Sequence, residues 1–188
     1  MFMGDGAQTA MTIETERLIL RPLASSDATR LTQLAGDMGV ARMTMRMPHP
    51  YTFDNARSFI GAARKSPVFA ITLSKRIIGC IGIHSENAIH PENDGNAELG
   101  YWIGKSWWGQ GFATEAVREM VRHGFFDLHL DCVKAGHFTD NPASGRVLQK
   151  CGFRIAGQSQ RFCVARDAEV ACEDYFLDRG TAERQGLI

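Results

Sequence analysis

The sequence predicts a mixed α/β domain on one twisted, mostly antiparallel sheet of about seven strands, flanked by about four helices. Three observations predict it. Short runs that alternate apolar and polar residues, bounded by Gly, Pro, Asn or Asp, recur along the chain. Two of them, Val68–Leu73 and 77–84, are joined by only residues 74–76, as an antiparallel hairpin requires. A strand over 97–103, an amphipathic helix over 111–126 and a strand over Cys132–Phe138 then follow in series, which implies a parallel pair joined right-handedly.

The elements can be justified in order. Residues 16–22, Glu-Arg-Leu-Ile-Leu-Arg-Pro, alternate and are stopped by Pro22, as a first strand would be. Ser25, Ser26 and Asp27 offer N-cap oxygens to a helix whose apolar stripe is Ala28, Leu31, Leu34, Ala35 and Met38, with Gly39 ending it. An irregular passage, 40–51, holds Met43, Met45, Met47 and two prolines and could form an adaptable apolar lip. Thr52 can cap a second helix with Phe53, Ala56, Phe59, Ile60 and Ala63 inward. After the hairpin, residues 85–96 are polar and turn-rich and read as a mobile loop. The helix over 111–126 turns Ala113, Ala116, Val117, Met120, Val121 and Phe125 to one side. Asn141 suits an N-cap, Pro142 a first helical position and Gly152 a C′ glycine, so a short helix lies between them. Runs over 161–165 and 170–177 make a terminal hairpin. The expected organisation is a flexible leader 1–14, one domain 15–178 and a polar tail 179–188.

Composition narrows the function classes. Of 188 residues, 44% are hydrophobic and 22% charged, enough for one sizeable core. Lys plus Arg equals Asp plus Glu at 21 each, which argues against a nucleic-acid-binding surface as the main function. Five widely spaced cysteines, without a Cys-x-x-Cys pair or a Cys/His cluster, read as buried thiols, not metal ligands or a disulfide framework. No apolar run approaches the roughly 18 residues of a membrane span, and the start lacks a secretory pattern, so the expectation is a cytoplasmic protein.

The stretch Trp107-Trp108-Gly109-Gln110-Gly111-Phe112-Ala113-Thr114-Glu115-Ala116 connects a strand to a helix through glycines. Glycine permits backbone conformations that a Cβ forbids, and the first amides of a helix have no partner inside it. Free N–H groups backed by the positive end of the helix dipole form a receptor for phosphate. A dinucleotide fingerprint would ask for a small residue at Thr114, and a Walker loop for a Gly-Lys-Ser/Thr that is absent. A bare connection that binds nothing is the default for an isolated Gly-x-Gly.

The remaining reading is a resemblance. Gly111 and Ala113 align with the last fixed positions of Arg/Gln-x-x-Gly-x-Gly/Ala, the pyrophosphate loop of the GCN5-related N-acetyltransferases (GNAT); Trp108 stands at its first position. Thr15-Glu16-Arg17-Leu18-Ile19-Leu20-Arg21-Pro22, Pro50-Tyr51-Thr52, Glu98-Leu99-Gly100-Tyr101-Trp102-Ile103 and Asn141-x-x-Ser144-x-x-Val147-Leu148-x-Lys150-x-Gly152-Phe153 also resemble the RimJ/RimL branch, the ribosomal-protein N-terminal acetyltransferases and their relatives. The resemblance implies a fold in which the strands ending at Ile103 and Phe138 splay into a V-shaped slot for acetyl-CoA. It implies pyrophosphate contacts at Trp108, Gly109, Gln110, Gly111, Phe112, Ala113 and Thr114, pantetheine contacts at Asn141 and along Tyr101, Trp102 and Ile103, and Ser144 beside the sulfur. No metal is implied.

Acetyl transfer to an amine needs a neutral nitrogen, a polarised carbonyl and a stabilised thiolate. An α-amine is partly neutral already, whereas a lysine costs about 3 kcal/mol more to deprotonate. Glu98 is the candidate general base and Ser144 the donor to the thiolate, with His84, Glu86 or water as alternative bases and a salt bridge as the other reading of Glu98. The reading is therefore an N-acetyltransferase acting by direct attack on a protein N-terminus or a small amine, against a non-catalytic coenzyme A-binding module. A homodimer through a strand edge or an apolar helix face is left open.

Overall fold

In the computed structural model, residues 11–64, 66–84 and 96–188 are described. Among the described residues, eight strands form one sheet in the order β1-β2-β3-β4-β5-β6-β8-β7. They are β1 (Ile13–Glu14), β2 (Leu18–Pro22), β3 (Val68–Leu73), β4 (Arg76–His84), β5 (Asn96–Ile103), β6 (Cys132–Phe138), β7 (Arg154–Cys163) and β8 (Ala168–Asp178). Helices α1 (Ala28–Ala35), α2 (Met38–Ala41) and α3 (Phe53–Ala63) cover one face; α4 (Phe112–Phe126), α5 (Pro142–Lys150) and α6 (Arg179–Arg184) cover the other. Alternation along β5 feeds both layers: Leu99 and Ile103 pack with Val117, Met120 and Phe125 of α4, while Trp102 faces the α1/α3 side with Leu31 and Ile60.

One junction is parallel. β5 and β6 pair only at Asn96↔Cys132, Ala97↔Val133 and Glu98↔Lys134. Beyond that rung β5 continues to Ile103 against β4 alone, and β6 to Phe138 against β8 alone. The sheet therefore opens in a V whose inner edges carry backbone groups without a strand partner.

Several expectations need correction. The terminal hairpin starts at Arg154, not near residue 161, because residues 154–158 are exposed on both faces and show no alternation; pairing with β8 holds them. Ala165 belongs to a 3₁₀ turn, Val164–Arg166. The helix expected to run to Gly39 stops at Gly36, and Asp37 caps the separate turn α2 through the Gly39 amide at 2.7 Å. Ser25, Ser26 and Asp27 form a 3₁₀ turn rather than an N-cap, since the Asp27 carboxylate turns back to the Ala24 amide and to Arg21. β1 lies within the expected leader and α6 within the expected tail, where Ala182 is fully buried. Thr52 and Asn141 cap α3 and α5 as expected. The loop with Glu86, and residues 1–10, fall outside the described residues.

Candidate active site

The V opens into a cleft of about 1280 Å³ that passes through the sheet from α4 and α5 to the underside of α2 and α3. Glu98, Tyr101, Trp102, Ile103, Trp108, Gly109, Gly111, Phe112, Ala113, Thr114, Asn141 and Ser144 all line it. Of the candidate site residues only Gln110 does not: its side chain donates to the Ser106 carbonyl and its own carbonyl accepts from Arg17.

The glycine loop has the conformation its sequence requires. Gly109 and Gly111 have φ of 74° and 83°, the left-handed region where a Cβ is strained. The first intrahelical bond of α4 runs from the Glu115 amide to the Gly111 carbonyl at 3.1 Å, so the amides of Phe112, Ala113 and Thr114 are free of helix partners. Behind the loop, Arg17 fastens it by donating Nε to Glu115 at 2.7 Å and Nη1 to the Gln110 carbonyl at 3.1 Å. Burial alone would raise the Glu115 carboxyl, yet bonds from Thr15 and Arg17 hold it below the usual range. Trp108, at the position of the motif's Arg or Gln, spends its indole N–H on the Ile103 carbonyl at 2.6 Å. It offers the slot a ring face only.

Across the V, Tyr101 and Ser144 meet. The Tyr101 hydroxyl lies 2.7 Å from Ser144 Oγ and 3.2 Å from the Ser144 carbonyl. Asn141 fixes the start of α5, its Oδ1 accepting from the Ser144 amide at 3.4 Å. Burial pushes the Tyr101 phenol well above its ordinary value, so it stays a donor.

On the opposite face, at the last paired rung of the V, Glu98 Oε1 accepts from Arg161 Nη1 at 2.5 Å, while Arg161 Nη2 donates to Asp174 at 2.5 Å. Burial alone would lower the guanidinium, but the two carboxylates raise it. The cluster carries one cation and two anions. His84 is the cross-strand neighbour of Glu98. Burial first and Arg46 second hold its imidazole below 6.5, against an opposing pull from Glu98. On this side the cleft is walled by Met43, Met45, Met47, Tyr51, Phe59 and Trp102. Two thiols line the cleft, Cys80 and Cys172, and burial pushes both above the ordinary thiol range. Sequence reasoning missed Arg161 and Asp174, which lie far along the chain from Glu98 and gave no local signal. It also missed the bond between Tyr101 and Ser144. His137 is buried, with Nδ1 2.8 Å from the Phe138 carbonyl.

A family model described as an acetyltransferase (GNAT) domain matches residues 17–154. The chain belongs to the GNAT acetyltransferases. Among its relatives, the uncharacterized N-acetyltransferase YoaA of Bacillus subtilis is 32% identical over 164 residues, covering 80% of this chain and 86% of that protein. The uncharacterized N-acetyltransferase p20 of Bacillus licheniformis is 32% identical over 155 residues, covering 78% and 84%. The ribosomal-protein-serine acetyltransferase of Escherichia coli is 35% identical over a shorter 77 residues, 41% of this chain and 42% of that protein. In fold, the structure of Mycobacterium smegmatis RimJ in complex with CoA-disulfide superposes with a TM-score of 0.78 at 21% identity, covering 95% and 96% of the two chains. The protein is thus an N-acetyltransferase.

Acetyl-CoA is the donor of this GNAT family, and this transferase fits it: free amides stand at the N-terminus of α4, a Cβ at Gly109 would meet open space, and the V presents unpaired strand edges. Among the described residues no three His, Cys, Asp or Glu side chains gather as a metal site would need, and no helix is long and apolar enough to cross a membrane.

Proposed function

We propose that the transferase moves the acetyl group of acetyl-CoA directly to a primary amine in a ternary complex. The observation that carries this is the splayed β5–β6 pair with the glycine-loop amides at one end, the Tyr101–Ser144 pair within it and the Glu98 cluster on the acceptor side. Acetyl-CoA supplies a thioester whose carbonyl carbon takes the amine nitrogen and whose C–S bond breaks.

The amides of Gly109 to Thr114 hold the pyrophosphate, and the free edges of β5 and β6, with Asn141 at the start of α5, line the pantetheine path. The ammonium proton passes to the His84–Glu98 pair. Arg161 occupies one oxygen of Glu98, and His84 is kept neutral near pH 7, so the imidazole is the member of the pair able to accept a proton. Ser144 Oγ donates a proton to the sulfur as the C–S bond breaks, with the Tyr101 hydroxyl bonded to it, and the second proton shed by the nitrogen as it becomes the amide restores the Ser144–Tyr101 pair. The high-lying thiols of Cys80 and Cys172 support direct attack over an acetyl-cysteine intermediate.

The single excess anion of the Glu98–Arg161–Asp174 cluster suits a cationic acceptor, and the methionine and aromatic walls suit an apolar group next to the amine. An N-terminal α-amine asks less of the base than a lysine does. The test is thiol release from acetyl-CoA with a panel of N-terminal peptides, lysine peptides and small amines. Release dependent on one acceptor class, reduced about 100-fold in Ser144→Ala, is expected. Coenzyme binding without acceptor-dependent release across all three classes would overturn the catalytic assignment.

A further inference from the structure

The coenzyme would bring more negative charge than the glycine loop answers. Besides its pyrophosphate, it carries a doubly charged phosphate on the ribose 3′ oxygen. From Trp108 to Thr114 there is no cationic side chain. Arg17 is committed to Glu115 and the Gln110 carbonyl behind the loop. Arg161 is neutralised by two carboxylates, and Arg46 and His84 stand at the acceptor end.

Two cations remain along the slot, Arg146 and Lys150. Both are exposed, both line the cleft, and their spacing of four places them on one side of α5. That side continues from Ala143 and Ser144 at the reacting end, so the pair lies further out along the same wall. The C-terminal end of α5 is pressed against the glycine-loop helix: Cys151 Sγ is 3.5 Å from the Thr114 carbonyl, and Arg118 of α4 reaches the Lys150 carbonyl at 3.4 Å. Lys150 therefore stands beside the first turn of α4. Among the described residues no carboxylate lies within 4.0 Å of either cation. Glu173 shares a small cavity with Arg146 but bonds Tyr175 and faces His137.

We infer that Arg146 and Lys150 form a subsite for the 3′-phosphate of the coenzyme, so that the protein selects coenzyme A over its 3′-dephospho form. This rests on the acetyl-CoA reading above. Lys150 also sits in the last turn of its helix, where a cation is favoured before any ligand arrives.

The experiment is calorimetric titration of the wild type and of Arg146→Ala/Lys150→Ala with coenzyme A and with 3′-dephospho-coenzyme A. The wild type is expected to bind the dephospho form about tenfold more weakly, the factor that charge-assisted phosphate contacts supply. In the double variant the two ligands bind alike, at the wild type's affinity for the dephospho form; that unchanged affinity also reports an intact fold. Equal affinities in the wild type, or a preference that survives in the variant, would overturn the subsite while leaving the coenzyme reading in place. If neither ligand binds the wild type, both fall.

Discussion

Gly145→Ala tests how tightly α5 is seated, and through it the position of Ser144. A Cβ at Gly145 would lie 2.5 Å from His137 Nε2 and 3.2 Å from two further ring atoms. The ring cannot swing aside, because its Nδ1 is 2.8 Å from the Phe138 carbonyl and its face packs on Tyr175 at 5.5 Å. Ordinary contact therefore needs α5 to lift by about 1 Å. Two effects compete. Alanine is favoured over glycine inside a helix by about 1 kcal/mol, while overpacking against a fixed ring costs about 2–3 kcal/mol. The clash wins, with a net loss of about 1–2 kcal/mol and a melting temperature lower by roughly 3–6 °C. Ser144 moves with the helix and its 2.7 Å contact to Tyr101 opens, so kcat should fall about 10- to 100-fold on the proposed mechanism. The control is the same substitution in a His137→Ala background. With the ring gone only the helix preference remains, and Gly145→Ala should then stabilise by about 1 kcal/mol. Calorimetric melts of the four proteins decide it: destabilisation of equal size in both backgrounds would refute the reasoning.

Two further outcomes are expected. Asp27→Asn removes the anion that Arg21 grips at 2.8 and 2.9 Å and should cost about 2 kcal/mol in urea unfolding at pH 7. Burial alone would raise the Asp27 carboxyl, but the bonds and charge of Arg21 with the Ala24 amide lower it overall; the wild-type advantage is thus complete above about pH 5 and shrinks as pH falls below about 4, through the lowered folded value. A gap that stays constant down to pH 2 would contradict this. In the pH profile of kcat/KM, the acidic limb should titrate below 6.5, disappear in His84→Asn and move to still lower pH in Glu98→Gln, since Glu98 is the group that pulls His84 upward. A limb unaffected by both substitutions would remove His84 from the mechanism.

What could be read from the sequence was whatever depended on neighbours along the chain. Gly109 and Gly111 answer to local backbone angles, Thr52 and Asn141 to the amides just after them, and the parallel pair to the helix between its strands. What could not be read depended on distant partners. Arg161 meets Glu98 across 63 positions, from a strand whose exposed residues carry no pattern. The resemblance puts Tyr101 along the pantetheine path; that its hydroxyl ends on Ser144 is set by how α5 docks. Asp27 looked like a cap because caps are the common use of an acid before a helix, yet a half-buried guanidinium close by outcompeted the helix amides.

The two readings of Glu98, salt bridge and reactive carboxylate, describe one arrangement. A sheet that opens needs something to stop the opening, and the V stops at Glu98↔Lys134. From β7, Arg161 reaches over β8 and β6 to Glu98, passing Gly136, where a Cβ would stand 3.3 Å from its Nη2, 3.2 Å from Cys172 Sγ and 3.3 Å from Asp174 Oδ1. Glycine leaves that crossing clear, and the guanidinium ties the two arms of the V at its apex. The same tie leaves the cluster with one more anion than cation, on the side where the proposed substrate's ammonium must arrive. Replacing Glu98 therefore loosens the apex and discharges the site together, and a loss of rate alone cannot separate them. The titration of His84 can, because it responds to the charge of Glu98 and not to the width of the V.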